Sequence, residues 1–231
     1  MNLSALVKRG VNAYGPALLK TELRLGDVSI ELARGRMVLR DLVIGNPEGY
    51  SPASLLTADT ITVSMRPAAV FSNPLFIDSF VIERPVISYE KKGSSDNFKT
   101  LLENMNASAE NARGTAEAAP APGRRGGSRT VVIGDFYMRD ASVTASVMPL
   151  VRKKITMVLP ELHLRNIGQG AGASPSEIAR EALGAVYQSV LVNAGPGKTM
   201  LKAAGSSAQD VGQGVKKGLE KAADGIRNLF R

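Results

Sequence analysis

Val28, Ile30 and Leu32 alternate with Asp27, Ser29 and Glu31, and Ile61, Val63 and Met65 repeat the pattern thirty residues on. A period of two commits such stretches to half-buried β-strands with one apolar face. Met37–Ile44 adds a strand between the turn at Arg34-Gly35-Arg36 and the breaker Asn46-Pro47-Glu48-Gly49. Ile77–Ile82 and Val86–Tyr89 follow, and Pro85 between them marks an edge strand or a bulge. Strands resume at Val131–Met138, Ala141–Val147 and Ile155–Leu164.

Helical signals frame these strands. A helix is expected from Leu3 to Leu19, interrupted at Gly15-Pro16, and another from Phe98 to about Asn111, capped by Asp96-Asn97. Ser174-Pro175-Ser176-Glu177 is a capping box with proline at the first helical position. It opens a helix to about Asn193, lined on one side by Ile178, Ala182, Val186 and Val190. Gly114 to Ser128, rich in Ala, Pro, Gly and Arg, reads as a flexible linker within the first domain.

Two internal echoes point to repeated strand units. LRDLVIGN (39–46) matches LPELHLRN (159–166), and IDSFVIERPVIS (77–88) matches IGDFYMRDASVT (133–144) at Ile77/Ile133, Phe80/Phe136 and Ile87/Val143. The expected architecture is mainly β with flanking helices, an α+β arrangement in which one elongated antiparallel sheet fills residues 1–194. An N-terminal helix, an inserted helix near 98–111 and C-terminal helices accompany the sheet. Residues 195–231 form a separate basic helical tail.

In that tail, Val211, Val215, Leu219, Ala222, Ala223, Ile226, Leu229 and Phe230 share one arc of a helix, with Lys216, Lys217, Glu220, Lys221, Asp224, Arg227 and Arg231 opposite. Gly214, Gly218 and Gly225 form a third strip that weakens the helix in isolation. Seven bases against three acids leave residues 195–231 at +4. Such a segment becomes helical against an anionic membrane surface or a partner. The tail is thus expected to bind membrane or protein through Val211, Val215, Lys216, Lys217, Leu219, Lys221, Ala222, Ile226, Arg227, Leu229 and Phe230.

A net charge of +8 calls for an anionic partner, and the absence of Trp with only 5% aromatics disfavours nucleic acid. The chain has no cysteine, which excludes disulfides, thiolate catalysis and cysteine metal sites, and fits either a reducing cytosol or a periplasm. No run reaches the ~20 apolar residues of a membrane span, and MNLSALVKRG lacks a signal-peptide core.

VNAYGPAL (11–18), VSIELARGRMVLRDLVIGNPEGY (28–50) and IERPVISYEKKGSSDNFKTLLEN (82–104) resemble the AsmA-like proteins of Gram-negative bacteria. The strand–turn–strand running into Asn46-Pro47-Glu48-Gly49 and the segment Pro85-Val86…Tyr89-Glu90…Asn97…Leu101 carry the resemblance. It implies a periplasmic protein at the inner membrane, with a long curled sheet around an apolar groove. Larger relatives, including TamB-like proteins, are linked to phospholipid movement and envelope integrity. The usual N-terminal transmembrane helix is missing here and the chain is far shorter, which favours a lipid-contacting or scaffolding role over a conduit.

Catalytic signals are few. His163 is the only histidine, set between Leu162 and Leu164 on the polar face of a strand, with no second histidine or cysteine to complete a metal site. Gly195-Pro196-Gly197-Lys198-Thr199 lacks the earlier glycine of a phosphate loop, because Val192 stands there. The glycines at 168–173 lack dinucleotide spacing. The expectation is a non-enzymatic envelope module without metal or cofactor. Its partner would be anionic phospholipid or a membrane surface, met through the tail and an apolar groove of Val28, Ile30, Leu32, Ile61, Val63 and Met65. The alternative is an assembly scaffold whose tail binds itself or another protein. Periplasmic placement at the inner membrane is expected, with the cytoplasm as the alternative.

Overall fold

The computed structural model describes residues 3–51, 53–116, 129–148 and 151–194. The chain divides into Met1–Val190 and Leu191–Arg231; of the latter, only the end of one helix is described. The first unit is an α+β fold. Helix α1 (Leu3–Leu19) precedes β1 (Leu23–Glu31), β2 (Arg36–Gly45), β3 (Ser54–Ser64), β4 (Leu75–Glu83), β5 (Val86–Lys92) and the two-residue β6 (Ser95–Asp96). Helix α2 (Asn97–Ala116) leads to β7 (Val131–Arg139), β8 (Ser142–Met148), β9 (Val151–Val158), β10 (Leu162–Ile167) and α3 (Pro175–Ala194).

The strands form one sheet. β3 pairs with β2 along one edge and with both β4 and β5 along the other. β4 and β5 thus act as one long strand, as do β7 with β8 and β9 with β10. Pairing is antiparallel except at the seam where β4–β5 meets β7–β8. That seam is parallel because the chain leaves β5 through α2 and returns beside it, the kind of crossover parallel pairing requires. The echo between 77–88 and 133–144 is this seam seen in the sequence: Ile77 pairs with Ile133, Phe80 with Phe136 and Ile87 with Val143.

A line of displaced residues crosses the sheet. Carried across each strand break, the observed registers set Gly26, Asp41, Asp59, Arg84, Asp140 and Pro160 opposite one another. Asp41, Arg84 and Asp140 have φ of 53°, 48° and 51°, a left-handed backbone that interrupts the pleat. The apolar pattern skips one residue there in every strand, at Leu25/Val28, Leu39/Leu42, Ala58/Ile61, Ile82/Pro85, Met138/Ala141 and Leu159/Leu162. Because all six strands shift together, pairing is kept and the same face stays apolar. Six residues on, a second line runs through Gly35, Met65, Asp78, Gly134 and Asn166, with φ of 60° at Gly35 and 59° at Asn166. Ile77/Phe80, Ile133/Phe136 and Leu164/Ile167 straddle it.

Of the two readings of Pro85 the bulge holds, since it lies inside the sheet beside the first line and not at an edge. Three sequence expectations are corrected. The sheet is mixed and not antiparallel throughout, because β4–β5 pairs in parallel with β7–β8. α1 runs unbroken through Pro16. Its docking outweighs the local cost: a Cβ on Gly15 would come within 2.8 Å of Leu23, and the Asn12 amide bonds both N–H and C=O of Leu25, at 2.7 and 3.1 Å. α2 continues to Ala116, five residues past the expected end, where the good helix formers Ala112, Arg113 and Ala116 offset Gly114.

The core joins the sheet to the helices. Phe98, Leu101 and Met105 of α2 are buried, as are Ile178, Leu183, Val186 and Val190 of α3. Ser174 and Glu177 make the expected reciprocal cap: Ser174 N donates to Glu177 Oε2 at 2.8 Å, and Glu177 N to Ser174 Oγ at 3.3 Å.

Candidate functional site

α1 is anchored on its inner side and apolar on its outer side. At 100° per residue, Leu3, Leu6, Gly10, Ala13, Tyr14 and Ala17 fall in one arc, opposite the β1-facing Asn12 and Gly15. Leu3, Leu6, Ala13, Tyr14 and Ala17 are all exposed, Tyr14 at 80%. The helix contains no acidic residue; the exposed Arg9 flanks the arc, and Lys8 falls on the side of Asn12 and Gly15. Together with Ala5, Asn12 and Ala13, the two cations line a shallow depression of about 470 Å³. An exposed apolar arc flanked by a base matches a helix lying in a membrane interface, acyl chains against the arc and phosphates against Arg9.

The segments that carry the AsmA-like resemblance meet in a buried polar cluster. Asn97, fully buried at the start of α2, donates through Nδ2 to Asn46 Oδ1 (2.8 Å) and to the Ser88 carbonyl (2.7 Å). Its Oδ1 accepts from the backbone N–H of Glu90, at 3.1 Å. The buried Glu90 carboxylate accepts from Ser51 N–H at 2.7 Å and Ser51 Oγ at 3.1 Å. Asp96 caps α2 by accepting from Lys99 N–H at 2.9 Å, and its other oxygen accepts from Tyr187 Oη of α3 at 2.6 Å. Among the described residues, no buried side-chain polar atom lacks a partner. The cluster is therefore a structural lock joining the β2–β3 connection, β5, α2 and α3.

Two tyrosines sense this lock. Burial, followed by the hydrogen bond to Asp96 and that carboxylate's charge, pushes the Tyr187 hydroxyl well above the usual phenol range. Burial and then Asp96 do the same to Tyr89. Both are favoured neutral in the fold and ionise near pH 10 in the unfolded chain, so they stabilise below ~pH 10 and lose that contribution as pH rises above it. A spectrophotometric alkaline titration is expected to show two of the five tyrosines ionising late, together with unfolding. Replacing Tyr187 with phenylalanine should remove one late group; five coincident tyrosines would contradict this.

The sequence-derived groove is mostly core. Val28, Ile61 and Val63 are buried, Ile30 and Met65 half-buried, and only Leu32 is exposed, in the turn after β1. The tail residues Val211, Val215, Lys216, Lys217, Leu219, Lys221, Ala222, Ile226, Arg227, Leu229 and Phe230 lie outside the described residues, as does Gly195–Thr199. His163 is on the polar face, as expected, but it is not free in solvent. Its Nε2 lies 2.6 Å from Asp135 Oδ1 and its ring stacks on Tyr137 at 4.2 Å. Arg139 covers that tyrosine and bridges Glu161 at 2.8 Å. The arrangement is a cross-strand ladder, and the described residues hold no group of three or more metal-ligating side chains.

Comparison with protein-family models and with curated proteins gave no match. No described helix is long and apolar enough to cross a membrane. The sequence signal for the outer arc of α1 is the spacing of three and four among Leu3, Leu6, Gly10, Ala13, Tyr14 and Ala17, weaker than that of the tail because small residues fill half of it.

Proposed function

We propose that this protein is a non-enzymatic, envelope-associated module that binds an anionic lipid surface, as its AsmA-like resemblance implies. The outer arc of α1 carries the reading: exposed leucines and a tyrosine, without an acid, beside Arg9. The contact moves from the sheet face to this helix, because Val28, Ile61 and Val63 are already packed. The basic tail adds attraction of roughly 1 kcal/mol for each cation near an anionic leaflet.

Flotation with phosphatidylcholine vesicles of increasing phosphatidylglycerol content tests this. The full chain is expected to float in proportion to anionic content, and a chain ending at Asp210 to float less but measurably, through α1. Absence of flotation at every composition would contradict the reading and leave assembly with a second copy or another protein in its place.

A further inference from the structure

The end of β1 remote from its α1-docking residues carries a second surface of the same character. Two 3₁₀ turns, Leu32–Arg34 and Pro67–Phe71, pack side by side there, and the backbone of Met65 bonds that of Gly35 at 2.8 Å. Phe71 is 90% exposed, with Leu32 and Phe76 exposed nearby. Arg34, Arg36, Arg66 and Arg129 are exposed around them. Of the nearby acids, Glu31 is bridged to Arg34 at 3.0 Å, Asp78 and Asp135 share a depression with Arg66 and Phe76, and Asp135 lies 2.6 Å from His163 Nε2.

Phe71 is held outward by a braced loop. Ser72 Oγ lies 2.8 Å from the Ala69 carbonyl and 2.6 Å from that of Pro74. The Arg129 guanidinium donates to the carbonyls of Val70 and Ser72, and Thr130 N–H donates to Asn73 Oδ1 at 3.0 Å. Ala69 is buried beneath the turn. A large aromatic fixed in water by this many bonds is already ordered for contact, so little freedom is lost on binding.

We infer that this tip is a second lipid-contacting surface, with Phe71 entering the acyl region of an anionic leaflet and Arg36 and Arg66 meeting its phosphates, while Arg129 braces the loop and Arg34 stays with Glu31. The inference rests on the proposed lipid binding and assigns it a further contact. The charge balance commits it to an anionic surface, since Arg34, Arg36, Arg66 and Arg129 outnumber Glu31, Asp78 and Asp135, and Glu31 and Asp135 are already bonded to Arg34 and His163.

The absence of tryptophan makes the test direct. Phe71→Trp in the full chain places a single reporter at the tip, and Val158→Trp places one at a 70% exposed site on the sheet. With vesicles containing phosphatidylglycerol, the emission of the first is expected to shift to the blue and to be quenched by acyl-brominated lipid. The second should change little, and neither should respond to pure phosphatidylcholine. Flotation without a shift at position 71 would overturn the tip contact and leave the lipid reading standing. No flotation would overturn both.

Discussion

Gly35→Ala is expected to destabilise the protein by roughly 3–5 kcal/mol, the cost of a local strain and a backbone clash together. Gly35 has φ of 60°, and a Cβ there would fall 1.7 Å from the Met65 carbonyl oxygen. That oxygen is backbone, so no side-chain rotation relieves the contact. The same residues carry the ladder bond from Met65 N–H to the Gly35 carbonyl, which ties the β1–β2 turn to the end of β3. Gly49→Ala is the matched control: its φ is 93°, but nothing lies within 4 Å of the added carbon. Only conformational strain of about 1–2 kcal/mol is expected there. Urea melts of the two variants check the contrast, and equal losses would show that the clash is relieved by movement of the turn.

Asn97→Ala should cost about 3 kcal/mol, or on the order of 10 °C in Tm. The substitution takes the Asn97 amide from the Glu90 N–H, the Ser88 carbonyl and Asn46 Oδ1, and the alanine methyl replaces none of these bonds. Asn46→Ala removes only one of these bonds and should cost about 1 kcal/mol. Because the two amides bond each other, the double variant is expected to be less damaged than the sum, by about 1 kcal/mol. A loss below 1 kcal/mol for Asn97→Ala would mean that the cluster is not what holds α2 to the sheet.

Period-two segments such as 28–32 and 61–65 were readable as strands because burial on one face leaves a local mark. The lines crossing the sheet were not, since Leu39-Arg40-Asp41-Leu42 or Leu159-Pro160-Glu161-Leu162 breaks the alternation and reads as noise in one strand at a time. Only when the strands are aligned does the skip become common to all. Both echoes registered it without explaining it: one is the pairing of neighbouring strands, the other two crossings of the same line. The parallel seam is set by where α2 returns the chain, which no local pattern encodes. Asp96 as a helix cap was legible from its neighbours, whereas its bond to Tyr187 joins residues ninety-one apart and depends on the packing of α3.

The lipid-facing claim for α1 is tested most directly by Leu6→Glu with Tyr14→Glu in the full chain. Both side chains are exposed, Leu6 at 49%, so the fold should melt as the parent does. Two carboxylates set into the outer arc should lower flotation on phosphatidylglycerol vesicles by about tenfold, near 1.4 kcal/mol. Unchanged flotation by this folded variant would contradict the account, because it would remove α1 from the contact.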